Sequence, residues 1–145
     1  MPCGNGRNVF FLSKNFKHTT GVDIEPKYIE AIKDKEDAYK SSPLDLKLID
    51  LTNERINLSK YNFICNIHYF DLRLLNDTIE HMAKNSFLLV ETPFCNGGNF
   101  KDLPNEVTLQ SLIKSTEVHY YKFTTCVHPD NVNNNGALKL LLKKN

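Results

Sequence analysis

The sequence predicts an α/β fold whose sheet is mostly parallel and ends in a C-terminal antiparallel hairpin. Helical and strand patterns alternate through the first two thirds of the chain, which is the order of a parallel sheet. Two strand patterns joined by a turn follow at the end, which indicates the hairpin. A glycine-rich turn at residues 2–8 is of the kind that normally follows a buried strand and faces a ligand.

The first half of the chain reads as two helices and two strands. A helix from Asn8 carries apolar residues at spacings near 3.6, up to Phe16. Residues 19–24 read as a short buried strand with an acidic residue at its carboxyl end. Pro26 suits the first turn of a second helix, where its missing N–H costs nothing. Residues 46–51 alternate as a strand, again with a carboxylate near the end.

The second half continues the alternation and then changes to paired strands. Residues 61–67 are an apolar run typical of a buried strand, and Asp71 is suited to cap the helix that follows. Residues 86–92 are the clearest strand, which we expect Pro93 to end, before an exposed loop from Cys95 to Leu103. Then come patterns typical of a helix, a strand, a turn and a strand, at residues 106–114, 117–126, 131–136 and 137–142.

Composition narrows the class of protein. A chain of 145 residues with 41% hydrophobic residues predicts one domain over residues 1–145. A net charge of +1 provides no general attraction to nucleic acid or to anionic membrane, although a local basic patch stays possible. We expect no membrane span, no signal peptide and therefore a cytoplasmic protein. The four cysteines have neither zinc-site nor disulfide-scaffold spacing, so we expect reduced thiols and no metal.

The glycine turn has a physical reason to face a ligand. Gly4 and Gly6 have no Cβ, so the backbone can take positive φ and a ligand can approach it closely. Val9 occupies the position of the third glycine in the dinucleotide fingerprint, which favours a nucleoside site over a pyrophosphate site. Asp23 follows at the spacing of a carboxylate that accepts ribose hydroxyls. An ordinary turn, and an Asp that caps the helix before Pro26, are the alternatives.

Five segments in this order resemble the Rossmann-like S-adenosylmethionine-dependent methyltransferases, and most of all the small tellurite-resistance type. They are Cys3–Asn8, Gly21–Ile24, Asp50–Leu51, Asn66–Phe70 and Phe87–Thr92. The resemblance covers nearly the whole chain and implies a Rossmann-like methyltransferase sheet. It departs from the family where Asn85-Ser86 replaces the usual Gly-Gly. In this family a first, central strand with a helix before it precedes the glycine turn, so we expect both to be missing and the chain to be truncated at its N-terminus.

The resemblance implies S-adenosylmethionine as cofactor. It implies that Asp23 binds the ribose and Asp50 the adenine amino group, although a solvated Asp50 is an open alternative. Asn66 and Ile67 would line the methionine part. The residues expected to bind cofactor are Cys3, Gly4, Asn5, Gly6, Arg7, Asp23, Ile24, Asp50, Leu51, Asn66 and Ile67.

The expected reaction is direct displacement at the sulfonium methyl with a small-molecule acceptor. Much of the acceleration can come from positioning, so a strong catalytic residue is not required. His68 is the candidate base and Tyr69 a candidate wall of the acceptor pocket; both are also acceptable as packing residues.

Two other functions stay open at this point. One is a degenerate, non-catalytic cofactor-binding module, which a missing first strand would favour. The other is a nucleotide-binding oxidoreductase of the same architecture. We expect a small-molecule substrate, no nucleic acid and no membrane partner, and an exposed sheet edge makes a homo-oligomer possible.

Overall fold

The fold is described from a computed structural model of the chain. The structure describes residues 2–39, 42–94, 106–126 and 135–145. The loop expected at residues 95–103 and most of the turn expected at 131–136 lie outside these ranges. None of the helices within them has the length and hydropathy needed to cross a membrane. The elements in chain order are α1 Arg7–Asn15, β1 Thr19–Asp23, α2 Pro26–Tyr39, β2 Leu44–Leu48, a 3₁₀ turn Leu58–Lys60, β3 Phe63–Ile67, α3 Leu72–His81, β4 Phe87–Phe94, α4 Glu106–Ile113, β5 Thr116–Cys126 and β6 Asn135–Lys144.

The chain divides into two compact units, Met1–Arg55 and Ile56–Asn145. Each unit has its own sheet. The first contains β1 and β2 in parallel, and the second has the strand order β3-β4-β6-β5. The β3–β4 pair is parallel, whereas β6 is antiparallel to both β4 and β5. The α/β class, the parallel pairing of early strands and the late antiparallel hairpin are therefore confirmed.

The core of the first unit comes from the apolar stripes predicted for its helices. Val9 and Phe10 of α1, and Ile29 and Ile32 of α2, are buried. Phe16, which the periodicity assigned to the α1 stripe, is exposed. The helix ends one residue earlier, and the extended backbone of Phe16 takes its side chain off the helical face.

Extended backbone precedes the glycine turn. Pro2 forms an isolated parallel bridge with Val22, and the Cys3 N–H donates to the Val22 carbonyl at 2.8 Å. The Asp23 carbonyl, one residue along, accepts the N–H of Ile49 instead. Because successive carbonyls of a strand point to opposite edges, residues 2 and 3 lie along the edge of β1 that β2 does not occupy.

In the second unit, alternate residues of the sheet form a buried face. Ile64, Leu88 and Leu140 are examples, and Leu75, Ile79 and Met82 of α3 and Leu112 of α4 are buried as well. Asp71 caps α3 as predicted, because its Oδ1 accepts the Leu74 N–H at 3.0 Å.

Several strand boundaries differ from the prediction: β2 lies at Leu44–Leu48 rather than 46–51, and β6 at Asn135–Lys144 rather than 137–142. The end of β4 differs for a reason that the structure shows. β4 does not end before Pro93 but continues through it to Phe94, with Pro93 opposite Ala137 of β6. The Phe87 N–H donates toward β3, so the backbone N of every second residue, Pro93 included, points to that side. The β3–β4 pairing stops at Glu91, and the missing N–H of Pro93 therefore breaks no hydrogen bond.

Candidate functional site

The glycine turn is built as the sequence predicts. The Gly6 N–H donates to the Cys3 carbonyl at 3.1 Å, and the Phe10 N–H donates to the Gly6 carbonyl at 2.9 Å, which starts α1. Gly4 and Gly6 have φ of 51° and 79°, a backbone region that residues with a Cβ rarely adopt. A Cβ placed on Gly4 would meet no atom within 4 Å, so the space beside this residue is open to a ligand.

Asp23 connects the turn to the end of β1. Its Oδ2 accepts the Gly4 N–H at 2.8 Å and its Oδ1 accepts the Glu25 N–H at 3.0 Å, and the residue is only 4% exposed. The contact with Glu25 is the local role that the sequence left as an alternative. The contact with Gly4 was not predicted, and it holds the glycine turn against the strand end. Two of about four lone-pair positions on the carboxylate are used in this way.

The neighbouring strand end carries Asp50, but in a turn rather than in the strand. β2 ends at Leu48, two residues before it. The Asp50 Oδ1 accepts both the N–H and the hydroxyl of Thr52, at 2.9 and 2.6 Å, and Oδ2 accepts the Asn53 amide at 2.7 Å. These bonds shape the turn that follows β2. Leu51 is half-buried there.

Ile24 gives this region an apolar surface. It directly follows Asp23 and is 54% exposed. An exposed apolar side chain beside a carboxylate and an open glycine turn is the composition of a nucleoside site: a flat surface for a base and acceptors for hydroxyls. All of these groups belong to the first unit.

Cys3 lies at the start of the turn, and its thiol is not activated. Burial, and then the negative charge of Asp23, raise the pKa of Cys3 to about 11. Burial likewise raises the pKa of Cys65 on β3 to about 11. Both are free thiols, as the cysteine spacing indicated. Neither is a nucleophile at neutral pH.

The residues predicted for the methionine part and for catalysis lie at the carboxyl end of β3, in the second unit. Asn66 is 0% exposed, and neither atom of its side-chain amide has a hydrogen-bond partner among the described residues. An unsatisfied buried amide is costly, so this position is suited to a polar ligand. Ile67, the last residue of the strand, is half-buried.

His68 follows immediately and is exposed. Its φ is 60°, and its N–H donates to the Glu91 carbonyl at 2.7 Å. Non-glycine residues in this region store about 1–3 kcal/mol of strain and occur often at functional sites. Tyr69 is half-buried, and Phe70 is buried as a packing residue.

Asn5 and Arg7 were predicted to bind the cofactor. Both line a groove on the helical side of the first unit, together with Phe10, Phe11 and Lys14 of α1 and Lys35 of α2. Lys14 and Lys35 were not among the predicted site residues. For Lys14 a signal was available, since the first 22 residues contain no acidic residue and the rest of the chain contains all 17; Lys35 lies between Asp34 and Glu36 and has no such signal.

The first unit is thus an α/β unit in which a glycine turn is held against the carboxylate at the end of β1. Residues 1–92 match the family described as methyltransferase domain. The chain belongs to this family. Among curated proteins, no sequence matches.

Solved structures agree with the fold. TehB from Haemophilus influenzae superposes with a TM-score of 0.78 at 18% identity, covering 99% of this chain and 56% of that one. TYW2 from M. jannaschii, solved in complex with AdoMet, gives 0.72 at 11% identity, with 100% and 67% covered. The N-methyltransferase NodS from Bradyrhizobium japonicum WM9, solved with S-adenosyl-L-homocysteine, gives 0.69 at 11% identity, with 99% and 74% covered. The chain thus spans little more than half the length of the Haemophilus protein.

Proposed function

We propose that the chain binds S-adenosylmethionine and transfers its methyl group to a small-molecule nucleophile, as a cytoplasmic enzyme. The observation that carries the proposal is the open, left-handed Gly4 whose N–H is held by Asp23. Because Gly4 has no Cβ, a nucleoside can approach its backbone more closely than it could approach a residue with a side chain. Membership of the methyltransferase domain family favours methyl transfer over the nucleotide-binding oxidoreductase.

In the first unit, the residues at the strand ends fit the adenosine part of this cofactor. Ile24 offers an apolar surface to the adenine, and the remaining lone pairs of Asp23 are suited to the ribose hydroxyls. Asp50 would receive the adenine amino group next to Leu51. The unsatisfied amide of Asn66, with the adjacent backbone of Ile67, is suited to the charged methionine part.

When bound, the cofactor supplies a sulfonium methyl that a nucleophile takes as the C–S bond breaks and the sulfur becomes a neutral thioether. His68 is proposed as the base that removes a proton from an acceptor that carries one. Tyr69 would orient the acceptor. Likeness to tellurite-resistance enzymes favours a chalcogen or metalloid oxyanion as acceptor; such an anion attacks through its own lone pair and needs no base.

Titration calorimetry with S-adenosylhomocysteine tests the proposal. We expect binding by the full chain, and at least a tenfold loss in Gly4→Ala, whose new methyl group would enter the ligand space. Asp34→Asn, an exposed acid on α2, is the matched control and should bind normally. No heat of binding at millimolar ligand would refute the proposal.

Turnover separates the enzyme from the non-catalytic alternative. The full chain is incubated with methyl-labelled S-adenosylmethionine and selenite, tellurite or a thiol, and methylated products are measured by mass spectrometry. Label in a product supports the enzyme. Binding without any product supports the non-catalytic cofactor-binding module.

A further inference from the structure

A second candidate site lies in the first unit, in the groove lined by Asn5, Arg7, Phe10, Phe11, Lys14 and Lys35. Its volume is about 280 Å³, close to the lower end of the range of about 300–1,000 Å³ for small-molecule sites. It includes Asn5 and Arg7, which the resemblance assigned to the cofactor, but neither Asp23, Ile24 nor Asp50, the groups proposed to bind its adenosine. The groove therefore needs an explanation of its own.

The groove has a positive lining. Arg7 and Lys14 project from α1 two turns apart, and Lys35 projects from α2. No acidic side chain lines it among the described residues. Arg7, Phe11 and Lys14 follow one another at spacings of four and three residues, so they share one face of the helix. Three cationic side chains that line one concave surface are suited to a phosphate group, which Arg can bind with two parallel hydrogen bonds.

The groove also has an aromatic wall. Phe11 is 67% exposed, although it is one of the most apolar residues of α1, and buried Phe10 lies beside it. An exposed aromatic ring next to cations is the combination that proteins use to stack a base while they hold its phosphate. Asn5 adds an amide that both donates and accepts hydrogen bonds, as the polar edge of a base or a ribose requires.

We propose that this groove binds a nucleotide, with the phosphate against Arg7, Lys14 and Lys35 and the base against Phe11. The expectation of no nucleic acid came from the net charge of the whole chain, which does not describe this local surface. The nucleotide comes either as a free molecule or as one unit of a single strand. The inference does not depend on the proposed methyl transfer.

Binding to the full chain is measured by titration calorimetry with adenosine monophosphate, adenosine, inorganic phosphate and a six-residue oligoadenylate. We expect adenosine monophosphate to bind more tightly than adenosine or phosphate, since it engages both the cations and Phe11. If the oligoadenylate, counted per site, binds more tightly than adenosine monophosphate, the bound nucleotide belongs to a single strand. If the two bind equally, the ligand is the free nucleotide. Each titration is run with saturating S-adenosylhomocysteine, which occupies the adenosine site proposed above, so that only nucleotide bound elsewhere is measured.

The variants test the location. The double variant Lys14→Glu/Lys35→Glu, and separately Phe11→Ala, should each weaken binding about tenfold or more. Lys17→Glu/Lys33→Glu makes the same change in net charge at exposed positions outside the groove and should bind normally. Lys14→Arg/Lys35→Arg should retain binding. No binding of adenosine monophosphate in the presence of S-adenosylhomocysteine, phosphate binding as tight as the nucleotide, or equal losses in the groove and control variants would overturn the proposal.

Discussion

Replacing Gly6 by alanine should destabilise the protein far more than replacing Gly4. Both glycines have left-handed backbone, which costs a residue with a Cβ about 1–2 kcal/mol. At Gly6 the new methyl carbon would also lie 2.5 Å from Cγ1 of Ile32 and 3.2 Å from Cε2 of Phe10. Ile32 is 0% exposed and has no room to move, so overpacking adds about 1–3 kcal/mol. We therefore expect a loss of about 2–5 kcal/mol for Gly6→Ala and about 1–2 kcal/mol for Gly4→Ala.

Urea unfolding followed by circular dichroism and tyrosine fluorescence measures the difference, since the chain has six Tyr and no Trp. With a slope of about 1–3 kcal/mol per molar urea, a loss of about 3 kcal/mol lowers the midpoint by about 1–3 M. A double-mutant cycle identifies the cause: Ile32→Ala should cost about 1–3 kcal/mol less in the Gly6→Ala protein than in the wild type. Equal losses for the two glycine variants, or strict additivity in the cycle, would refute the steric reasoning.

Three further outcomes are expected. Asp23→Asn leaves a backbone N–H of Gly4 or Glu25 facing an amide group, so the free energy of unfolding measured in urea should fall by about 1–3 kcal/mol. Unchanged stability would contradict the described contacts. Asn66→Leu removes an unsatisfied buried amide and should raise the stability of the ligand-free chain by about 1–3 kcal/mol while it weakens binding of S-adenosylhomocysteine. The exposed Asn62→Leu is its control, and a destabilised Asn66→Leu would mean that the amide has a partner. Because the pKa of Cys3 is raised to about 11, its folded thiol should react with iodoacetamide about 100-fold more slowly at pH 8 than an ordinary thiol, with a rate that rises up to about pH 11. Since the folded state holds this proton more tightly, the contribution of Cys3 to the free energy of unfolding should be constant below about pH 9 and decline as the pH rises toward 11; peptide mapping that finds fast labelling of Cys3 at pH 7 would be inconsistent with the raised pKa.

Local patterns predicted most of the fold, because they determine the elements directly. The apolar spacing around Leu75 and Ile79 and the cap at Asp71 required no knowledge of neighbouring strands. Pro93 was different. Whether a proline is tolerated in a strand depends on which neighbour its nitrogen faces and where that neighbour ends, and only the tertiary pairing determines both.

For the candidate site as well, local patterns predicted some residues, whereas other contacts depend on the tertiary structure. Residue type and spacing were enough to select Gly4, Gly6 and Asp23, since left-handed turns and strand-end carboxylates have strong sequence preferences. They did not identify the donors to Asp23, because the Gly4 N–H lies 19 residues away in the chain. The groove with Lys14 and Lys35 was missed for a related reason: it exists only where two helices lie side by side.

Pro93 of β4 also limits how far β3 can pair along β4. Its nitrogen has no hydrogen to offer on the side of β3, so the parallel ladder has no donor beyond the bond from the His68 N–H to the Glu91 carbonyl. A longer β3 would gain nothing there, and the backbone turns away at His68 with its positive φ. The proline on β4 thus ends the pairing of β3, and His68, the proposed base, is exposed directly after that end. No contact between the side chains of Pro93 and His68 is required.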